Sequence, residues 1–109
     1  MKALISTARK QNERVFLVGL ELKNRTRWDL NDSLDELAEL AATAGGQVTG
    51  RGTQKIDVPV AGTFIGTGKA SEFASFCQKE EIDTIIFDDE LSPAQSRNLE
   101  KIFNCKVLD

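Results

Sequence analysis

"DTIIFDDELSPAQSRNLEKIFN" (residues 83–104) decides how this chain folds. Thr84 to Phe87 is apolar and β-branched without interruption, the pattern of a strand covered on both faces, as in a parallel sheet. Three acids follow, and then a complete helix-start signal. Ser92 is placed to cap the helix, Pro93 takes the first helical position, and Gln95 falls where a capping box needs Glu or Gln. Leu99, Ile102 and Phe103 recur at helical spacing, and Asn104 suits a left-handed stop. "CKVLD" (105–109) then reads as one more strand. A buried strand, a helix and a second strand in quick succession make a crossover unit, and crossovers join parallel strands.

The same alternation extends towards the amino terminus. "RVFLVGLEL", Arg14 to Leu22, is a second doubly buried strand, followed by the polar loop "KNRTRWDLND". "SLDELAELAATAGG" spaces Leu34, Leu37, Ala38, Ala41 and Ala44 as one helical face. Ser33 with Glu36 is the expected capping box, and Gly45-Gly46 the expected stop. "QVTGRGTQKI", Gln47 to Ile56, alternates weakly and holds two glycines, which predicts a strand that is bulged or near an edge. "TFIG" (63–66) is expected as a further short strand. From Lys69 or Ala70 a helix places Ala70, Phe73, Ala74 and Cys77 together. The expectation is a single α/β domain with a mainly parallel sheet of four to five strands and flanking helices. It spans residues 13–109, behind a flexible arm at 1–12.

Composition narrows the chemistry. The 109 residues suit one domain, and no run of apolar residues is long enough for a membrane span. The absence of His removes the commonest general base and the Ser-His and Cys-His nucleophile pairs. Cys77 and Cys105 form no metal-ligand spacing and read as reduced apolar filler, which fits a cytoplasmic setting. The formal charge of −3 argues against bulk attraction to nucleic acid. The imbalance is local, however: residues 1–60 hold nine Lys/Arg against eight Asp/Glu, and residues 61–109 hold five against nine.

Three clusters carry candidate chemistry at the carboxyl ends of the expected strands, where α/β sheets collect ligands. "GTFIGTGKAS" (62–71) resembles a phosphate loop but fails the G-x-x-x-x-G-K-[ST] pattern, with Thr63 in place of the first Gly and Ala70 in place of the hydroxyl. Gly66, Gly68, Lys69 and Ser71 can still form an anion site of helix-start amides beside a cation, or simply a tight turn. Asp88, Asp89, Glu90 and Ser92 form a polar corner able to hold magnesium through water, to pair with a cation, or only to favour the helix dipole. Lys23, Arg25 and Arg27 surround Trp28; with Arg51, Lys55 and Arg97 they are the candidate RNA contacts, each equally readable as a surface charge.

Taken together, "GTFIGTGKASEF", "IIFDDELSPAQSRNLEKIF" and "KVLD" resemble the amino-terminal domain of the HflX family of ribosome-associated GTPases. The resemblance runs from about Arg14 to Asp109, and its second motif is the more specific. It implies a longer protein, in which a helical arm and a GTPase domain using GTP and Mg2+ follow this domain. The chain shows no Walker A, D-x-x-G or N-K-x-D motif, so it is expected to be an amino-terminal fragment or a stand-alone copy without GTPase activity. The resemblance also implies binding to the large ribosomal subunit through its RNA, contact with the protein's own GTPase domain, and a part in ribosome dissociation or rescue. An adenine-nucleotide site with weak ATPase activity is the alternative, on the same Gly66–Lys69 turn. A brace that regulates the GTPase domain is the third.

Overall fold

The structure, a computed structural model, describes residues 12–109. The arm expected over 1–12 therefore lies outside the described residues, except for Asn12. Four strands and three helices alternate: β1 (Glu13–Glu21), α1 (Arg27–Thr43), β2 (Gly46–Lys55), α2 (Thr67–Lys79), β3 (Thr84–Phe87), α3 (Pro93–Phe103) and β4 (Lys106–Leu108). The strands form one parallel sheet in the order β2-β1-β3-β4. The chain first steps from β1 to one side, then crosses back to the other, so β1 and β3 flank a topological switch point.

Both central strands are covered on two faces, as their unbroken apolar runs require. Val15, Leu17 and Ile86 meet Leu30, Leu34, Leu37 and Ala41 of α1 on one side. On the other, Phe16, Val18, Leu20, Ile85 and Phe87 pack with Ala70, Phe73 and Cys77 of α2 and Leu99 and Phe103 of α3. The helix signals of the quoted stretch hold in full. Ser92 and Gln95 form the capping box, Pro93 opens the helix, and Asn104 closes it in the left-handed region at φ 54°.

Two expectations fail. α1 starts at Arg27, so its cap lies seven residues ahead of Ser33, and Ser33 caps nothing. Thr26 is the cap instead: its Oγ1 accepts from the Asp29 amide at 3.0 Å and donates to Asp29 Oδ2 at 2.8 Å. Leu30 lies one turn ahead of Leu34 and is buried, so the apolar stripe extends the helix through the segment read as a loop. The second failure is "TFIG". It forms no strand, because Val60 and Phe64 make an isolated antiparallel bridge, with each amide bonded to the other residue's carbonyl. Phe64 takes φ 65°, off the extended geometry that a strand needs. Its ring is buried edge-on to Phe87, and that contact holds the turn against the sheet.

The irregularity expected in β2 is present. Val15 pairs with Val48 but Phe16 with Gly50, leaving Thr49 as the extra residue of a bulge. Beyond it, β2 is an edge strand.

Candidate functional site

All three sequence clusters reach the carboxyl rim of the sheet, and the fold treats them differently. Arg25 leaves the loop after β1 and turns over the switch point. Its Nη2 lies 2.6 Å from Asp88 Oδ2, and its Nη1 lies 3.6 Å from Asp89 Oδ2. Ser33, from inside α1, donates to Asp88 Oδ1 at 3.0 Å. Asp88 is thus satisfied from two elements and almost wholly covered. Arg25, one of the candidate RNA contacts, is the cation that pairs with the acidic corner, one of the roles expected for those acids. A guanidinium needs opposite charge when half-buried, and two carboxylates at the next strand end supply it.

Asp89 is less well served. Its Oδ2 is buried and has no hydrogen-bond partner among the described residues. Burial raises its carboxyl above the ordinary 3.8; Arg25 opposes the rise and Asp88 adds to it. Glu90 is exposed, and Ser92 is occupied as the helix cap. Among the described residues, no three of Cys, Asp and Glu come together as a metal-binding group. The groove beside the corner, between Ser33, Leu37, Leu40 and Asp109, holds about 160 Å³. That is below the several hundred Å³ usual for a small-molecule site.

The glycine turn is more open. Gly66 caps α2 through its backbone alone, and no side chain caps the first turn. The Gly66 amide is bound by Gln54 Oε1 at 2.9 Å, which ties the turn to the end of β2. A Cβ on Gly66 would lie 2.9 Å from that same Gln54 side chain, whereas one on Gly68 would meet nothing within 4 Å. Gly68 therefore presents bare backbone to solvent. Lys69 bonds Glu72 of its own helix at 2.9 Å and sits 5.8 Å over the Phe73 ring, while remaining partly exposed. Ser71 is exposed on the same helix.

The remaining cations are scattered. Lys23 is exposed at the end of β1, Arg27 pairs with Glu21 at 3.3 Å, and Lys55 lies opposite Glu21 in the strand register. These three share the carboxyl ends of β1 and β2. Arg51 sits mid-strand, bound to Asp35 of α1 at 2.8 Å, and Arg97 is exposed on α3. Trp28 stands on the first turn of α1, 74% exposed, and so does not pin the loop to the domain.

Sequence reasoning missed three participants. Ser33 looked like a cap, and Gln54 gave no signal at all. The pair Gly50 and Gly52 did carry one, because glycines two apart on a strand mark a face approached closely. A Cβ on Gly52 would come within 2.6 Å of the Phe73 ring, and one on Gly50 within 3.3 Å of Phe76.

A doubly wound parallel sheet with an ion-paired switch point and an open helix-start turn defines the class: a small single α/β domain. Residues 31–109 match the family described as GTP-binding GTPase N-terminal. The chain belongs to that family, as the amino-terminal domain found in HflX-type GTPases. It is 44% identical over 97 residues to the GTPase HflX of Flavobacterium psychrophilum, covering 89% of this chain and 24% of that protein. The HflX of Alkalihalophilus pseudofirmus is 39% identical over 97 residues, covering 89% of this chain and 23% of that protein. That of Escherichia coli is 37% identical over 81 residues, covering 74% and 19%. The chain thus spans about a quarter or less of the length of these relatives.

Proposed function

We propose that this domain docks an HflX-type GTP-binding protein on RNA of the large ribosomal subunit, in the cytoplasm, as part of ribosome dissociation or rescue. In this reading the domain carries out no nucleotide chemistry itself. GTP and Mg2+ belong to the GTPase domain of the longer protein, which is also its covalent partner. The observation that carries the proposal is the open first turn of α2: uncapped amides, bare backbone at Gly68 and the Lys69 ammonium beside them. Helix-start amides of this kind suit a phosphate of an RNA backbone, for which Lys69 would exchange its Glu72 partner. Lys23, Arg27 and Lys55, at neighbouring strand ends, add contacts that position the domain without reading sequence.

Lys69→Ala tests the proposal. Loss of one phosphate contact should weaken co-sedimentation with large subunits and reduce the salt dependence by about one ion. Equal sedimentation with and without the lysine ammonium removes the role assigned to this turn.

An adenine-nucleotide site is the second reading, favoured by the same open turn. The engagement of Asp88 by Arg25 and Ser33 weighs against it, since a magnesium ion would have to displace both. Calorimetric titration with ATP and Mg2+ separates the two readings, and absence of heat at millimolar nucleotide ends the second.

A further inference from the structure

The two edges of the sheet are unequal. β4 closes one side with three residues, too short to recruit another strand. β2 closes the other with ten, and among the described residues it pairs with β1 alone. It carries no Pro, and its bulge falls early, at Thr49. From Gly50 to Lys55 the outer row of amides and carbonyls is regular. An edge of that length is ordinarily blunted or covered, because it is a template for another strand.

The surface beside this edge is shaped. Gly50 and Gly52 face α2 and have no side chains, so the rings of Phe73 and Phe76 rest directly against the strand. A groove of about 600 Å³ opens there, floored by Phe16, Phe73 and Phe76 and rimmed by Lys69 and Glu72. Phe76 is 37% exposed into the solvent on this side. On the opposite face, strand alternation places Arg51, Thr53 and Lys55 together, Arg51 ion-paired with Asp35 of α1 and Lys55 exposed. β2 contains two cations and no acid, although the chain as a whole is acidic.

We infer that the edge of β2 is a docking site for an extended peptide segment of a partner protein, in which apolar residues alternate with acidic ones. Main-chain hydrogen bonds to β2 supply the pairing. The apolar side chains lie over the glycine-bare face against Phe73 and Phe76, and the acidic side chains lie on the face of Lys55 and Arg51, one of them taking the place of Asp35 on the Arg51 guanidinium. A period of two puts each set on its proper face, and a shift of one residue reverses both. This surface adjoins the open turn of α2, sharing Lys69 at its rim and Lys55 on its far face, but its main-chain pairing and its peptide ligand go beyond the ribosomal reading.

The test uses the full 109-residue chain and a synthetic peptide, acetyl-Glu-Val-Glu-Val-Glu-Val-Glu-amide. Two controls accompany it, one with Lys in place of Glu and one N-methylated at alternate amides. Saturable binding of the acidic peptide is expected, with amide shifts centred on Thr49 to Thr53 and on Phe76. N-methylation on the pairing side should abolish it. Arg51→Glu should weaken the acidic peptide and strengthen the lysine peptide, each about fivefold, as one cross-strand charge pair would. Arg51 is partly exposed, so this variant is expected to fold, and the reciprocal gain guards against a merely damaged protein. No saturable binding at millimolar peptide overturns the inference, as does binding indifferent to N-methylation. It is overturned equally if binding appears only after residues 1–11 are removed, or if sedimentation reveals a dimer paired through β2 that the peptide does not displace.

Discussion

Arg25 Nη2 lies 2.6 Å from Asp88 Oδ2, joining the loop after β1 to the residue after β3 across 63 positions of sequence. The pair sits at the switch point of the sheet, where doubly wound folds most often receive a ligand. Here the protein occupies the position with its own charges.

Arg25→Met should therefore lower stability and spare the fold. It leaves Asp88 covered, with Ser33 as its remaining side-chain partner, and the loss is about 2 kcal/mol for a hydrogen bond to a charged group. Urea denaturation of the two proteins measures it. A midpoint within error of wild type would mean that the pair contributes nothing, as many exposed pairs do.

Asp89 makes stability depend on pH in the unusual direction for a carboxylate. Its folded pKa lies above the ordinary 3.8, chiefly through burial. Below that value both folded and unfolded forms are protonated, and the group is neutral to stability. As pH rises through the interval up to the folded value, the unfolded state loses its proton first and folding is penalised. Asp89→Asn should thus raise the melting temperature at pH 7, with the gain shrinking as pH falls through the raised folded value towards 4 and absent at pH 3. A gain that persists unchanged at pH 3 would contradict the assignment.

The glycines of β2 and α2 should respond oppositely to alanine. Gly52→Ala drives a methyl to 2.6 Å from the Phe73 ring and should cost about 2 kcal/mol. Gly68→Ala enters open space in a helix and should leave stability unchanged or raise it by up to about 1 kcal/mol. If RNA phosphate approaches that backbone, the same Gly68 variant should still lose affinity for large subunits. Thermal melts and co-sedimentation on the one protein distinguish packing from recognition.

Both thiols should be unreactive in the folded protein. Burial, with Cys105 nearby, pushes Cys77 from 9.0 up to about 12, and burial with Asp83 and Glu100 pushes Cys105 up to about 11. Thiolate is the reactive form, so a disulfide reagent at pH 8 should modify neither at an appreciable rate until denaturant is added. Rapid modification of one equivalent in the native state would place a thiol outside the core.

Local chemistry is what the sequence determined alone. The strand Thr84–Phe87, the Ser92–Gln95 capping box, Pro93 and the left-handed Asn104 are all decided by neighbours within one or two turns, and all are as read. The parallel order of elements follows from the same evidence, since doubly buried strands alternating with amphipathic helices have few other ways to pack. Where a residue had two local solutions, only the tertiary structure chose. Ser33 could cap a helix or sit within one, and Asp88 arriving from β3 supplies the partner that keeps it inside. Arg25 could face RNA or protein, and the acids of a strand distant in sequence turned it inward. Gly50 and Gly52 mark a close approach, but only the packing of α2 reveals that aromatic rings make it. Long-range pairing of charges and surfaces leaves no periodicity in the chain, because its partners are brought together only when the sheet closes.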